Sequence, residues 1–167
     1  MNRKINEIRS AIENNLYNCA LTLALTLPDI CAKVEYGDSI SNKGKKYQQW
    51  FDAFVVSKFT ITATKLPSNE QVTYAQLTAE ECWKLRCAVL HAGNFELNCV
   101  QSDLKKIFIH VHERDGKNYE HHWRDGKYAD FDLVSLCHNL CNAAEEYYNN
   151  HPNKDLFNIG EIEICTW

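Results

Sequence analysis

At 167 residues, 45% hydrophobic and 24% charged, the chain has the size and composition of one globular domain, long enough to bury a core without staples. That profile excludes disordered, collagenous and fibrous classes. A formal net charge of −4 argues against a strongly basic nucleic-acid-binding module, because phosphate contacts need Lys and Arg; a local basic patch is still compatible with it.

From residue 5 to about residue 34, Ile5, Ile8, Ile12, Leu16, Cys19, Leu23 and Leu27 recur at three- and four-residue steps, the period of an amphipathic helix. Pro28 either kinks that helix or starts a second short segment at Asp29, and Gly37, Asp38 and Ser39 end the pattern. A further helix begins near Lys43, Lys45 and Lys46, with Tyr47, Trp50, Phe51, Phe54 and Val55 gathered on one aromatic, core-facing side. Residues 58–76 are rich in β-formers around Pro67, Ser68 and Asn69, which predicts a loop or a small hairpin.

Thr78 followed by Glu81 is a capping box, so a helix starts there; Trp83, Cys87 and Leu90 are its expected buried stripe and Gly93 its stop. Residues 107–112 alternate with period two, and Asp115-Gly116 is a two-residue hairpin turn. The tetrapeptide Arg-Asp-Gly-Lys occurs at Arg114 and again at Arg124, which predicts a three-strand meander over 107–129, inserted into an otherwise helical domain. Asp130 or Asp132 caps a final helix from Leu133 to about Asn150, and Ile162 and Ile164 alternate in the tail as an edge strand would. The whole, residues 1–167, is read as a single domain.

Arg3, Lys4 and Arg9 precede no apolar run with a cleavage site, and the longest apolar stretch, residues 19–27, is too short to span a bilayer. A cytoplasmic protein without membrane attachment is the expectation. The eight cysteines are scattered with no Cys-x-x-Cys pair, which points to reduced core thiols.

The chemistry-bearing pattern lies on the capped helix, where Arg86 stands five residues before His91 at the helix end. A helical Arg-x4–6-His motif, preceded by two long helices and followed by another, resembles the HEPN domain of many bacterial defence and toxin ribonucleases. The resemblance covers the helical two thirds of the chain and implies a mainly α, HEPN-like bundle of four to five helices with the hairpin region as an insertion. It further implies a metal-independent endoribonuclease with no cofactor, in which His91 moves protons, Arg86 holds the phosphate, and two copies complete the site as a homodimer. An antitoxin or defence-system partner belongs to the same implication. A titratable imidazole and a forked guanidinium are what metal-free cleavage of a phosphodiester needs. On an ideal helix the two side chains point about 140° apart, so one chain alone is not expected to close the site. Cys87 departs from the family, where a polar residue commonly follows the arginine. The rival reading is a non-catalytic HEPN-like binding or interaction module, in which Arg86 pairs with an acidic neighbour and His91 merely finishes a helix.

Two further clusters are weaker. Lys43, Lys45 and Lys46 are either a solvated surface or contacts to an RNA backbone. His110, His112 and His121 would share one hairpin face, where three imidazoles can meet a metal ion, although exposed hairpin histidines are common without one.

Overall fold

A computed structural model of the chain describes residues 1–65, 67–94, 97–98, 106–114, 117–118, 122–125 and 128–158. Among these residues the fold is mainly helical: α1 (Asn2–Glu13), α2 (Tyr17–Ala24), α3 (Leu27–Tyr36), α4 (Lys43–Phe54), α5 (Ala79–Ala92) and α6 (Leu133–Asn150). The N-terminal periodicity predicted as one helix is divided into three. Asn15 takes a left-handed φ of 57° between α1 and α2, and Thr26 turns its hydroxyl back onto the Leu23 carbonyl between α2 and α3. Pro28 then sits in the first turn of α3, where a missing N–H leaves no bond unmade. The described residues thus form a mainly α fold, as expected, with the N-terminal stretch in three pieces.

The long α6 forms the centre of the bundle and packs against α1, α2 and α3. Its Leu136, Cys137, Leu140, Cys141 and Ala144 are fully buried with Ile5, Ile8, Leu21, Leu25 and Trp50 from the surrounding helices. Asp132 caps it by accepting from the Ser135 amide. The capping box of α5 is present in both directions, and Gly93 ends that helix in the left-handed conformation, as the sequence predicts. The buried stripe of α5 differs: Cys82, Leu85 and Val89 face the core, while Trp83, Cys87 and Leu90 are half-buried. The Trp83 indole lies against α4, with Tyr47 5.2 Å away between ring centres.

The β-rich stretch after α4 is a hairpin of β1 (Thr60–Lys65) and β2 (Glu70–Ala75). The second β region contains β3 (Leu97–Asn98), β4 (Lys106–His110), β5 (Glu113–Arg114), β6 (Lys117–Asn118), β7 (His122–Arg124) and β8 (Tyr128–Asp132). It is not the meander the alternation predicts. β5 and β6 pair antiparallel, but β4 pairs parallel to β8, which lies between β4 and β7 in the order β3-β4-β8-β7. That register sets Ile107 against Ala129 and Ile109 against Phe131, and buries Ile107, Ala129 and Phe131 beneath the sheet.

Cys31, Cys82, Cys137 and Cys141 are buried thiols, Cys87 is half-buried and Cys19 exposed; Cys99, Cys165 and the tail from residue 159 lie outside the described residues. Burial pushes the Cys82 and Cys141 thiols up to about 12, which keeps them protonated and unreactive at neutral pH. No helix among the described residues is long and apolar enough to cross a membrane.

Candidate functional site

Arg86, midway along α5, reaches the start of α3. Asp29, one residue beyond Pro28, points from the first turn of α3 toward Arg86, whose Nε donates to Asp29 Oδ2 at 2.8 Å. The guanidinium carbon of Arg86 lies 5.2 Å from the centre of the Trp83 ring, stacking the cation over an aromatic face. Its Nη1 is 3.4 Å from Nε2 of His91. Arg86 and His91 therefore meet within one chain, contrary to the angular argument from an ideal helix. The long arginine side chain bridges the angle, held by Asp29 on one side and Trp83 beneath. A guanidinium can only donate, so this contact has His91 accept at Nε2 and carry its ring proton on Nδ1.

Arg86 and Asp29 are only 20% and 26% exposed, whereas His91 is open to solvent. Burial pushes the Asp29 carboxyl above its usual range, and the neighbouring Arg86 and Lys43 only partly offset this. The small residue Gly44 makes the arrangement fit: a Cβ there would come within 2.8 Å of the Trp83 indole nitrogen.

Between α3, α4 and this part of α5 lies a cleft of about 660 Å³, into which Lys33, Lys43, Lys46 and Arg86 bring four cationic groups against Asp29 and Asp38. Two of the three predicted basic residues thus line the cleft. Lys46 also donates to the Gly37 carbonyl and closes the loop after α3. Lys45 is exposed and is not part of the cleft wall. Its amide instead completes the Asn42 cap of α4. These lysines belong to the first turn of a helix rather than to a free loop. Local excess positive charge in a chain of net charge −4 is an anion-attracting feature.

Of the three histidines considered as a metal set, His121 lies outside the described residues. His110 and His112 come together with a residue the sequence reading did not include, Asp130 of β8. His110 Nδ1 is 3.0 Å and 3.2 Å from the two Asp130 oxygens, and His112 Nε2 is 3.5 Å from Asp130 Oδ2. The parallel β4–β8 register brings them to one end of the sheet.

Asp29, Trp83 and Asp130 are the site neighbours that motif reading misses. For Asp29 the available signal was an acidic residue in the first turn after a proline, a helix-start feature that says nothing of its distant partner. For Asp130 the signal was the alternation of residues 128–132, hidden because the same residues also read as a helix cap.

No protein-family model, curated protein or solved structure matches the chain.

Proposed function

We propose that the chain is a HEPN-like helical domain that binds RNA along the lysine-lined cleft and cleaves it at Arg86 and His91, as a homodimer. The observation that carries this reading is the 3.4 Å contact between an exposed His91 Nε2 and Nη1 of Arg86, a residue that lines that cleft. An imidazole accepts the proton of a ribose 2′-hydroxyl as its oxygen attacks phosphorus. The P–O5′ bond breaks, a second imidazole returns a proton to the leaving 5′-oxygen, and a 2′,3′-cyclic phosphate remains. The guanidinium offers its Nη edge to the phosphoryl oxygens as negative charge builds on them. One chain supplies one such imidazole, and a two-fold symmetric pairing supplies the second.

The test is cleavage of RNA by the pure protein in EDTA. His91→Ala is expected to lower the rate at least about 100-fold, the share usual for a general acid or base. Equal cleavage by both proteins, or a strictly monomeric wild type in light scattering that nonetheless cleaves, removes the assignment.

A second reading rests on a specific observation, the commitment of Arg86 Nε to Asp29 and of its face to Trp83. In that reading the arginine ties α3 to α5, and the domain is a non-catalytic HEPN-like interaction module of a defence or toxin–antitoxin system. It predicts no cleavage by the wild type and a stable fold that needs Arg86 but not His91.

A further inference from the structure

We propose that His110, His112 and Asp130 form a binding site for a divalent transition-metal ion, with zinc as the best-fitting occupant. The three residues offer two imidazole nitrogens and a carboxylate oxygen, all within 4.8 Å of one another. Such a donor set suits zinc and similar first-row ions rather than calcium or magnesium, which prefer all-oxygen shells.

The spacing fits a single ion. Bonds of about 2.0–2.2 Å in a tetrahedral zinc site set ligand atoms roughly 3.4 Å apart. Asp130 Oδ2 stands 3.2 Å from His110 Nδ1 and 3.5 Å from His112 Nε2, so both carboxylate–imidazole edges already have that length. The remaining edge, between the two imidazoles, is the one that must close. His110 is 54% exposed and its ring can turn to close it.

The outer shell points the same way. The other nitrogen of His112, Nδ1, faces Asp132 Oδ1 at 3.6 Å, and Asp132 is 1% exposed. Asp132 is itself fixed, accepting from the His112 amide at 3.1 Å and from the Ser135 amide at 2.7 Å. A buried carboxylate behind Nδ1 favours the proton there and leaves the lone pair of Nε2 aimed toward Asp130. A carboxylate behind the non-ligating nitrogen is the arrangement that orients imidazole ligands in metal sites, and closing the 3.6 Å gap to a hydrogen bond completes it. Three protein donors leave a coordination position for water, and the bound ion would clamp the end of β4 to β8 just before α6 begins.

The site shares no residue with the Arg86 cleft, so it stands or falls independently of the RNA reading. The experiment is titration of the chelator-treated full chain with Zn²⁺, followed by calorimetry and by thermal unfolding. One ion per chain and a raised Tm are expected. Asp130→Asn, His112→Ala and the exposed His110→Ala should each weaken binding at least about tenfold. Circular dichroism of each metal-free variant checks its fold, and His110→Ala serves if the more buried change disrupts it. All three variants keep every cysteine. Binding that survives in the folded variants would place the ion on other residues and overturn the proposal, as would a wild type that takes up no zinc. Co²⁺ substitution adds a second readout: strong visible bands without thiolate charge transfer are expected, and thiolate bands count against the site.

Discussion

Arg86 and Asp29 form an ion pair of 2.8 Å that joins the middle of α5 to the start of α3, and both side chains are largely withdrawn from water. Asp29→Ala leaves the Arg86 Nε–H without its acceptor in that setting. The loss should be about 1–3 kcal/mol, less than for a fully buried pair because both groups retain some solvent. Urea unfolding measures it.

The same pair sets a pH dependence with a defined sign. Burial holds the folded Asp29 carboxyl above its usual range, so its contribution to stability is fully present below the unfolded carboxylate pKa and is lost as pH rises through the folded value. Asp29→Asn removes that slope. The variant is expected to match the wild type in Tm near pH 4 and to gain on it toward pH 7; a constant difference would show that Asp29 ionises as freely as in the unfolded chain.

Glu81 behaves in the opposite way. Burial raises its carboxyl, but the Arg124 guanidinium, bound at 2.7 and 2.9 Å, and the Thr78 amide more than reverse this and leave it below the usual range. Its stabilisation is present above the unfolded carboxylate pKa and lost as pH falls through the folded value. Because Glu81 ties the α5 cap to β7, Glu81→Gln should destabilise by about 2–4 kcal/mol at neutral pH. The deficit should shrink on acidification, as thermal melts down to about pH 3 would record.

Gly44→Ala separates helix propensity from packing. Alanine favours an exposed helix by about 1 kcal/mol over glycine. Here the new methyl meets the Trp83 ring at 2.8 Å, and the ring is backed by Tyr47 and carries Arg86. The clash should win, with a net destabilisation of about 1–3 kcal/mol in urea unfolding. Combined with Trp83→Leu, which vacates the contact, the alanine should lose most of its penalty in a double-mutant cycle.

Local signals in the sequence and long-range pairings differ in how far they could be read. The caps at Thr78 and Asp132 and the stop at Gly93 depend on neighbours a few residues away, so their chemistry is written in adjacent letters. The break at Asn15 is not, because asparagine tolerates both helical and left-handed backbone and the apolar period runs on through it. The pairing of β4 with β8 depends on which strand best fills the core above α6, a tertiary choice that alternation in either strand leaves open. Arg86 and His91 could be picked out as a pair by residue type and position. Asp29, 57 residues away from Arg86, could not, since an ion pair of such separation leaves no local trace.

Cleft residues and merely exposed ones should differ in the salt dependence of RNA binding. Each lysine that neutralises a phosphate of single-stranded RNA contributes about 0.7 to the slope of log affinity against log salt. Lys43 and Lys46 line the cleft beside Arg86, whereas Lys45 is exposed outside it. Lys43→Gln is therefore expected to reduce the slope by about 0.7 and to weaken binding uniformly across sequences, and Lys45→Gln to leave the slope nearly unchanged. Lys46→Gln should show both the slope change and a small loss of stability, because that ammonium also holds the Gly37 carbonyl. Binding measured in EDTA with His91→Ala, which removes the proposed proton carrier but none of these charges, keeps the RNA intact during the titration. Equal slopes for the Lys43 and Lys45 variants would mean that the RNA does not enter this cleft, and the proposed orientation of substrate toward Arg86 would fail with it.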